Sequence, residues 1–440
     1  MVFIRTATTR LSSDAGDAVA SAASRCATAL GARDVPASFA SAPHIASLLV
    51  VRLTRPAPVS AAFAALPNLA NNGTRVPTIG AVVAPSTAQE HSSLDLVHFH
   101  SSNFTANAFH VDARFSSNSP FRQSKGVGRW FEPLALQDDA SHAPFDVSAF
   151  KSLSLNTPSL HDSDTQQELD LKYIVQGSSA PEQDPSLLLT LSDKDPHAIW
   201  DGLCRVFPHT PKMGLITPMT PFLTGLTHTL LHDTTTHEAG LTGLAFTPNT
   251  TTSASPPTYL TTTHKHLTPF GPVLTITACR GNIITRLDDG TATHQILRAL
   301  AQQHGGASVE SHLARGQSLY LRLEESGAVY RIVAGDLAKG NLALDRVRDL
   351  EAGMRVQFLY QDLTQANGEA FAGKDGAPGI RLETIPEAEG TVLEEAGTRE
   401  SEVVISDHIA MHSDAGIVYA EKGAEFEVCR VPYSSVEYYP

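Results

Sequence analysis

The chain has 440 residues, 42% of them hydrophobic and 18% charged, with a formal net charge of -14. This balance describes a soluble globular protein of two or three domains. It argues against nucleic acid and against an anionic membrane surface, because both need clustered Lys and Arg and no basic run reaches three residues.

No apolar run approaches the roughly eighteen residues of a membrane span. The four cysteines, Cys26, Cys204, Cys279 and Cys429, lie far apart with no metal-ligand spacing. That suits free thiols in a reducing compartment, so cytoplasm or nucleus is expected. The N-terminus, MVFIRTATTRLSS, weakly resembles a mitochondrial presequence, and a frayed terminus is the simpler reading.

In chain order, residues 14–30 carry Val19, Ala22, Ala23, Cys26 and Leu30 on one stripe and predict an amphipathic helix. SLLVVRL (47–53) predicts a buried strand, 58–66 a short helix, VPTIGAVV (76–83) a second strand, and 94–100 and 107–115 two more. Residues 115–183 are rich in Ser, Asp, Pro and His, and within them 135–168 is expected to be a mobile insertion. LLLTLSD (187–193), a helix over 196–207 and KMGLITP (212–218) then repeat the earlier strand, helix and strand in order and character. An internal duplication is plausible, although plain strand and helix alternation would also produce it.

The stretch KMGLITPMTPFLTG (212–225) organises the chain: a short buried strand runs into a loop with prolines at Pro218 and Pro221 and closes on Gly225. A third strand, GLTGLAF (240–246), follows it. The Thr/Ser/Pro segment 248–263 predicts a domain boundary. Beyond it, GPVLTITAC and NIITRL flank the turn Arg280-Gly281-Asn282, a helix spans 293–303, and strands at 319–325, 329–336, 342–347 and 354–362 form a meander. Residues 365–402 hold nine acidic against three basic residues and predict a solvated loop. A final β-rich piece closes the chain. The expected architecture mixes α/β and α+β: a duplicated strand-helix-strand module over 14–247 packs on a sheet-rich, largely antiparallel module over 264–440.

The residues offer no catalyst. There is no G-x-S-x-G elbow and no phosphate-binding P-loop. His98/His100 and His264/His266 are spaced to share a strand face, but neither pair has a third ligand at recognisable spacing, so no metal is expected. Asp288 and Asp289 fit a turn better than an acid and base pair.

Several stretches together resemble the FIST family. DLKYIV, LLLTLSDKDP, WDGLCRVFPHTPKMGLITPMTPFLTG and GLTGLAF look like its N-terminal module. LTPFGPVLTITACRGNIITRLDD, LYLRLEE, VYRIVAGD, GNLALDRV and AGMRVQFLYQD look like its C-terminal module. The resemblance covers residues 15–362 with interruptions. It implies an intracellular, non-enzymatic sensor or substrate-recruiting adaptor tied to signal transduction and ubiquitin-dependent degradation. Its implied partners are ubiquitin-ligase components or client proteins, with a small ligand such as an amino acid and no cofactor. No F-box cluster precedes Asp14, so docking to a ligase scaffold is not carried over, and Cys429-Arg430 stands where the module's usual close is expected. The candidate ligand-binding residues are Thr217, Thr220, Phe222, Gly225, Arg280, Asn282 and Ser86. Their three loops are expected to meet at the domain interface. The alternative is a small-molecule enzyme with its pocket at the same loops.

Overall fold

The computed structural model of the protein describes residues 3–10, 15–32, 43–53, 76–83, 92–112, 160–176, 183–249, 259–303, 318–361, 379–385, 404–406 and 409–439. The first part of the chain contains β1 (Phe3–Arg10), α1 (Ala15–Ala32), β2 (His44–Arg52), β3 (Thr78–Val83) and β4 (Ser93–His100). There follow β5 (Phe104–Val111), α2 (Leu160–Gln176), β6 (Leu187–Ser192), α3 (His197–Val206), β7 (Lys212–Ile216), α4 (Pro221–Thr224), β8 (Leu230–His232), β9 (Thr235–His237) and β10 (Leu241–Pro248). The next part runs β11 (Tyr259–His264), β12 (Leu267–Arg280), β13 (Ile283–Leu287), β14 (Gly290–Thr291), α5 (Ala292–Gln303), β15 (Leu319–Leu323), β16 (Val329–Asp336), β17 (Asn341–Leu344) and β18 (Arg355–Gln361). The chain closes through β19 (Ile380–Thr384), β20 (Val404–Ser406), β21 (Ile409–Ser413), β22 (Ile417–Ala420), β23 (Glu427–Cys429) and β24 (Ser434–Tyr439).

Two mixed sheets carry the first part. One has the order β20-β1-β4-β2-β3-β8-β9, the other β23-β22-β7-β6-β10-β5. In the first, β2 and β3 are parallel while β1, β4 and β8 join antiparallel. In the second, β6 and β7 are parallel while β5, β10 and β22 join antiparallel. Five consecutive strands of each sheet, β1-β4-β2-β3-β8 and β5-β10-β6-β7-β22, thus share one order and one pattern of directions.

Apolar runs such as Leu48-Leu49-Val50-Val51 have no polar alternation because both sheet faces are covered. Leu48 and Val50 share a core with Leu189, Leu191, Met213 and Leu244 of the opposite sheet. Leu49 and Val51 pack instead with Ala22, Ala23, Cys26 and Leu30 of α1, the stripe read from sequence. The outer face of the second sheet is covered by α2 and α3 through Leu171, Val175, Trp200 and Leu203. The layers therefore run helix, sheet, sheet, helix.

Strands β12, β18, β15, β16, β17 and β13 form an antiparallel barrel. Long β12 pairs with β18 along its first half and with β13 along its second, which closes the ring. Gly271 sits in this strand at φ +68°, and α5 approaches so closely that a Cβ there would lie 2.6 Å from the Ala299 methyl. A small sheet, β11-β24-β19-β21, completes the structure and adds Leu260, Leu382, Met411 and Val436 to the inter-sheet core.

Several expectations change. The N-terminus is strand β1, paired with β4 and β20, rather than a frayed end. The boundary segment 248–263 ends in strand β11, and the acidic run 365–402 contains buried β19, whose Ile380 and Leu382 face the core. The insertion 135–168 ends in a helix, since α2 starts at Leu160. The barrel occupies only 267–361 of the expected C-terminal module; β20 returns to the first sheet and β22 and β23 to the second. The predicted helix 58–66 lies outside the described residues. No helix among the described residues is long and apolar enough to cross a membrane.

Candidate functional site

Both parallel strand pairs end at the same side of the sandwich. Strand β8 runs beside β3 so that Val82 N donates to Thr229 O at 3.0 Å, which places residue 228 at the carboxyl end of β3. His228 Nδ1 in turn lies 3.2 Å from Thr217 Oγ1, at the carboxyl end of β7. Irregular segments beyond the carboxyl ends of strands are where open α/β sheets bind ligands, and residues 217–229 cross this position.

This loop is held by its own threonines. Thr217 donates from its backbone N–H and its hydroxyl to Ser192 O, both at 2.8 Å. Because that hydroxyl proton is committed, Nδ1–H of His228 is the donor toward Thr217. Pro218 cannot extend the ladder, and Pro221 sits at the start of α4, where a missing N–H costs nothing. Thr220 N donates to Thr227 O at 2.8 Å and closes the loop, and its hydroxyl meets Leu226 O and the hydroxyl of Thr229. Thr224 bonds the same Thr229 hydroxyl at 2.7 Å. Gly225 ends α4 at φ +81°; nothing would touch a Cβ there, so the backbone conformation alone calls for glycine. Glu238 accepts the N–H and the hydroxyl of Thr227 at 3.0 and 2.7 Å.

Beneath the loop, Asp193 accepts Gly240 N at 2.6 Å and Asp195 N at 3.0 Å. Burial raises the Asp193 pKa and lowers that of His228, although the Asp193 charge opposes the second shift. Thr217 has no activated hydroxyl, since its proton points to a carbonyl. The arrangement is a rigid polar brace. What it presents outward is apolar: Phe222 is 89% exposed and Met219 55%, while Leu223 packs inward beside the α1 core.

The structure thus brings Thr217, Thr220, Phe222 and Gly225 into one loop, the two threonines buried and Phe222 at the tip. Arg280 and Asn282 belong to the β12–β13 hairpin of the barrel. Arg280 is exposed; Asn282 is buried and donates from Nδ2 to Leu344 O at 2.7 Å. Gly281 takes φ +60° and accepts Leu350 N. The hydrogen bonds of this turn run within the barrel, and among the described residues none joins it to the 217–229 loop. Ser86 lies outside the described residues. Thr224, Thr229, Asp193, His228 and Glu238 were not singled out from sequence; the dense threonines of TGLTHTLL were the available signal.

The barrel is fixed to the sandwich by charge. Arg348 meets Asp201 of α3 at 3.0 Å, pairs with Glu425 and covers the Phe426 ring at 4.7 Å; Arg430 reaches Asp345 at 3.2 Å, and Tyr330 donates to Glu427. No protein-family model matches the chain, and no curated protein matches it at a significant level.

Proposed function

We propose that the protein is a non-enzymatic FIST-type adaptor that recruits a protein partner through the 217–229 loop. One observation carries this reading: a threonine-braced loop, with little freedom left to lose on binding, holds Phe222 almost fully in solvent. Rigid exposed aromatic side chains are typical anchors of protein interfaces, and preorganisation cuts the cost of binding. The shared strand order of the two sheets supports the duplicated module that the repeated strand, helix and strand pattern of the sequence suggests. Ubiquitin-ligase components and their clients are the partner class this reading names.

Affinity purification with mass spectrometry tests it, with the full chain and Phe222→Asp as baits. Phe222 makes no core contact, so the substitution should change stability by less than about 0.5 kcal/mol. A partner captured by the native chain should be lost about thirtyfold or more, corresponding to about 2 kcal/mol at an anchor residue. Identical captures by both baits would remove the loop from the interface, and turnover of a co-purified metabolite would favour an enzyme.

A further inference from the structure

Strands from both sheets bring three histidines together at one edge of the sandwich. His110 lies on β5, the edge of the second sheet; His232 and His237 lie on β8 and β9, the edge of the first. The rings of His110 and His237 stack with centroids 3.6 Å apart, and His232 is 6.3 and 6.2 Å from them. This contact between sheets is supported nearby by a hydrogen bond from Thr242 to Leu231 O.

The cluster is built for neutral imidazoles. His110 Nδ1 and His237 Nε2 are buried without a hydrogen-bond partner, so a proton placed on either of these nitrogens finds no acceptor; a backbone hydrogen bond with Leu241 favours charged His110 but is outweighed by burial and the neighbouring histidines. The charges acting on His110 are those of His237, His232 and Asp112, and those acting on His237 are His232 and Asp112. Asp112 is thus the one carboxylate acting on the stacked His110 and His237 pair. Burial, then the neighbouring histidines, push the His110 pKa down to about 4, and His237 is lowered for the same reasons. Once the edge opens, each regains an ordinary pKa near 6.5, so falling pH favours opening from that value downward.

We propose that His110 and His237, with the His232 ring packed beside them, form an acid-operated latch: neutral, the pair holds the β8–β9 hairpin against β5; protonated, it releases it. The release reaches the loop that carries Phe222. Strand β8 continues directly from Thr229, and Glu238, the residue after β9, accepts both bonds from Thr227. Protonation thus loosens the hairpin that carries two of the loop's supports, while the Thr217 bonds to Ser192 and the β3–β8 ladder stay in place, a consequence that rests on the partner-binding reading above.

Hydrogen exchange with mass spectrometry on the full chain, from about pH 7.5 to about pH 4.5 with intrinsic rates corrected, tests the latch. In the native protein, residues 217–239 should lose protection about tenfold or more before β15 and β18 of the barrel change. His110→Phe keeps a stacked ring that cannot take a proton, and His237→Gln removes one site without charge. Both should hold protection at 217–239 to lower pH. The latch is refuted if 217–239 opens only together with the barrel, or if both variants open at the native pH. Zinc chloride that raises protection of this edge at neutral pH in the native chain, and not in His237→Gln, would overturn the latch in favour of a metal site. Phe222→Asp leaves the histidines intact and should open at the native pH, so loss of partner capture in that variant stands or falls separately.

Discussion

Trp200→Ala is expected to lower stability by about 3–5 kcal/mol, a large part of the total for an ordinary domain. Trp200 is fully buried on α3 and packs with Leu203, Phe207 and Ile216, its ring 6.1 Å from that of Phe426. The indole lies directly over Gly214 of β7: a Cβ at that position would meet Trp200 Cζ2 at 2.9 Å and would overlap the Thr190 hydroxyl outright. Removing the indole empties a site bounded by two sheet strands and the β22–β23 hairpin, none of which can collapse into it. Gly214→Ala is the converse test. It should also destabilise by about 1–3 kcal/mol, because Thr190 and Trp200 must both move. Urea unfolding of both variants checks this. A Trp200→Ala midpoint close to native, with an unchanged slope, would show that the α3 contact is dispensable.

Gly214 shows what sequence can and cannot supply. The strand over 212–216 was legible, because a short apolar run between a lysine and a Thr/Pro turn has few other uses. The reason for the glycine was not legible, since Trp200 and Thr190 reach it from another helix and another strand. The same division holds at the loop. Pro218, Pro221 and Gly225 announced a turn with a left-handed close, and the structure has that. The hydroxyl triangle of Thr220, Thr224 and Thr229 depends on the chain folding back along β3, which no local pattern encodes.

Composition misled where short apolar alternation hid in polar surroundings. Ile380 and Leu382 sit inside an acidic stretch, yet β19 is central in its small sheet, between β24 and β21. Long-range pairing made that strand. Likewise, Phe3–Arg10 reads as a Thr/Arg terminus and becomes β1 because β4 offers it a full antiparallel edge. The histidine clusters are only half legible for the same reason: each draws one member from a strand distant in sequence, as His110 joins His232 and His237. His98 and His100 were noted as a strand-face pair, and their third neighbour is His44, stacked over His98 at 4.0 Å.

Acidification is expected to cost several kcal/mol of stability between neutral pH and about pH 5, before ordinary carboxylates titrate. His44, His110 and His264 are each pushed down to about 4, by burial first. The neighbouring His100 adds to the shift at His44, and Arg322 to that at His264. His264 is held by Ser434 Oγ at 2.6 Å on β11, so the three sites lie in different parts of the fold. Each folded pKa is depressed below its unfolded value near 6.5, so the neutral ring's contribution is complete above about pH 6.5. It is lost as pH falls toward 4. At pH 5 the loss is on the order of 2 kcal/mol each for His44 and His264 and about 1 kcal/mol for the more exposed His110, where solvent screens the charge, about 5 kcal/mol together if the sites act independently. Burial raises Asp193, Asp201 and Glu427, whose protonation favours the folded state and blunts the fall in the carboxylate range. Urea midpoints at about pH 7.5, 6 and 5 should therefore drop steadily, with the folded chain taking up fewer protons than the unfolded one. His264→Asn, which keeps a polar partner for Ser434 but cannot titrate, should remove about one third of the slope. Midpoints that stay level over this range would mean that these rings are hydrated and titrate normally.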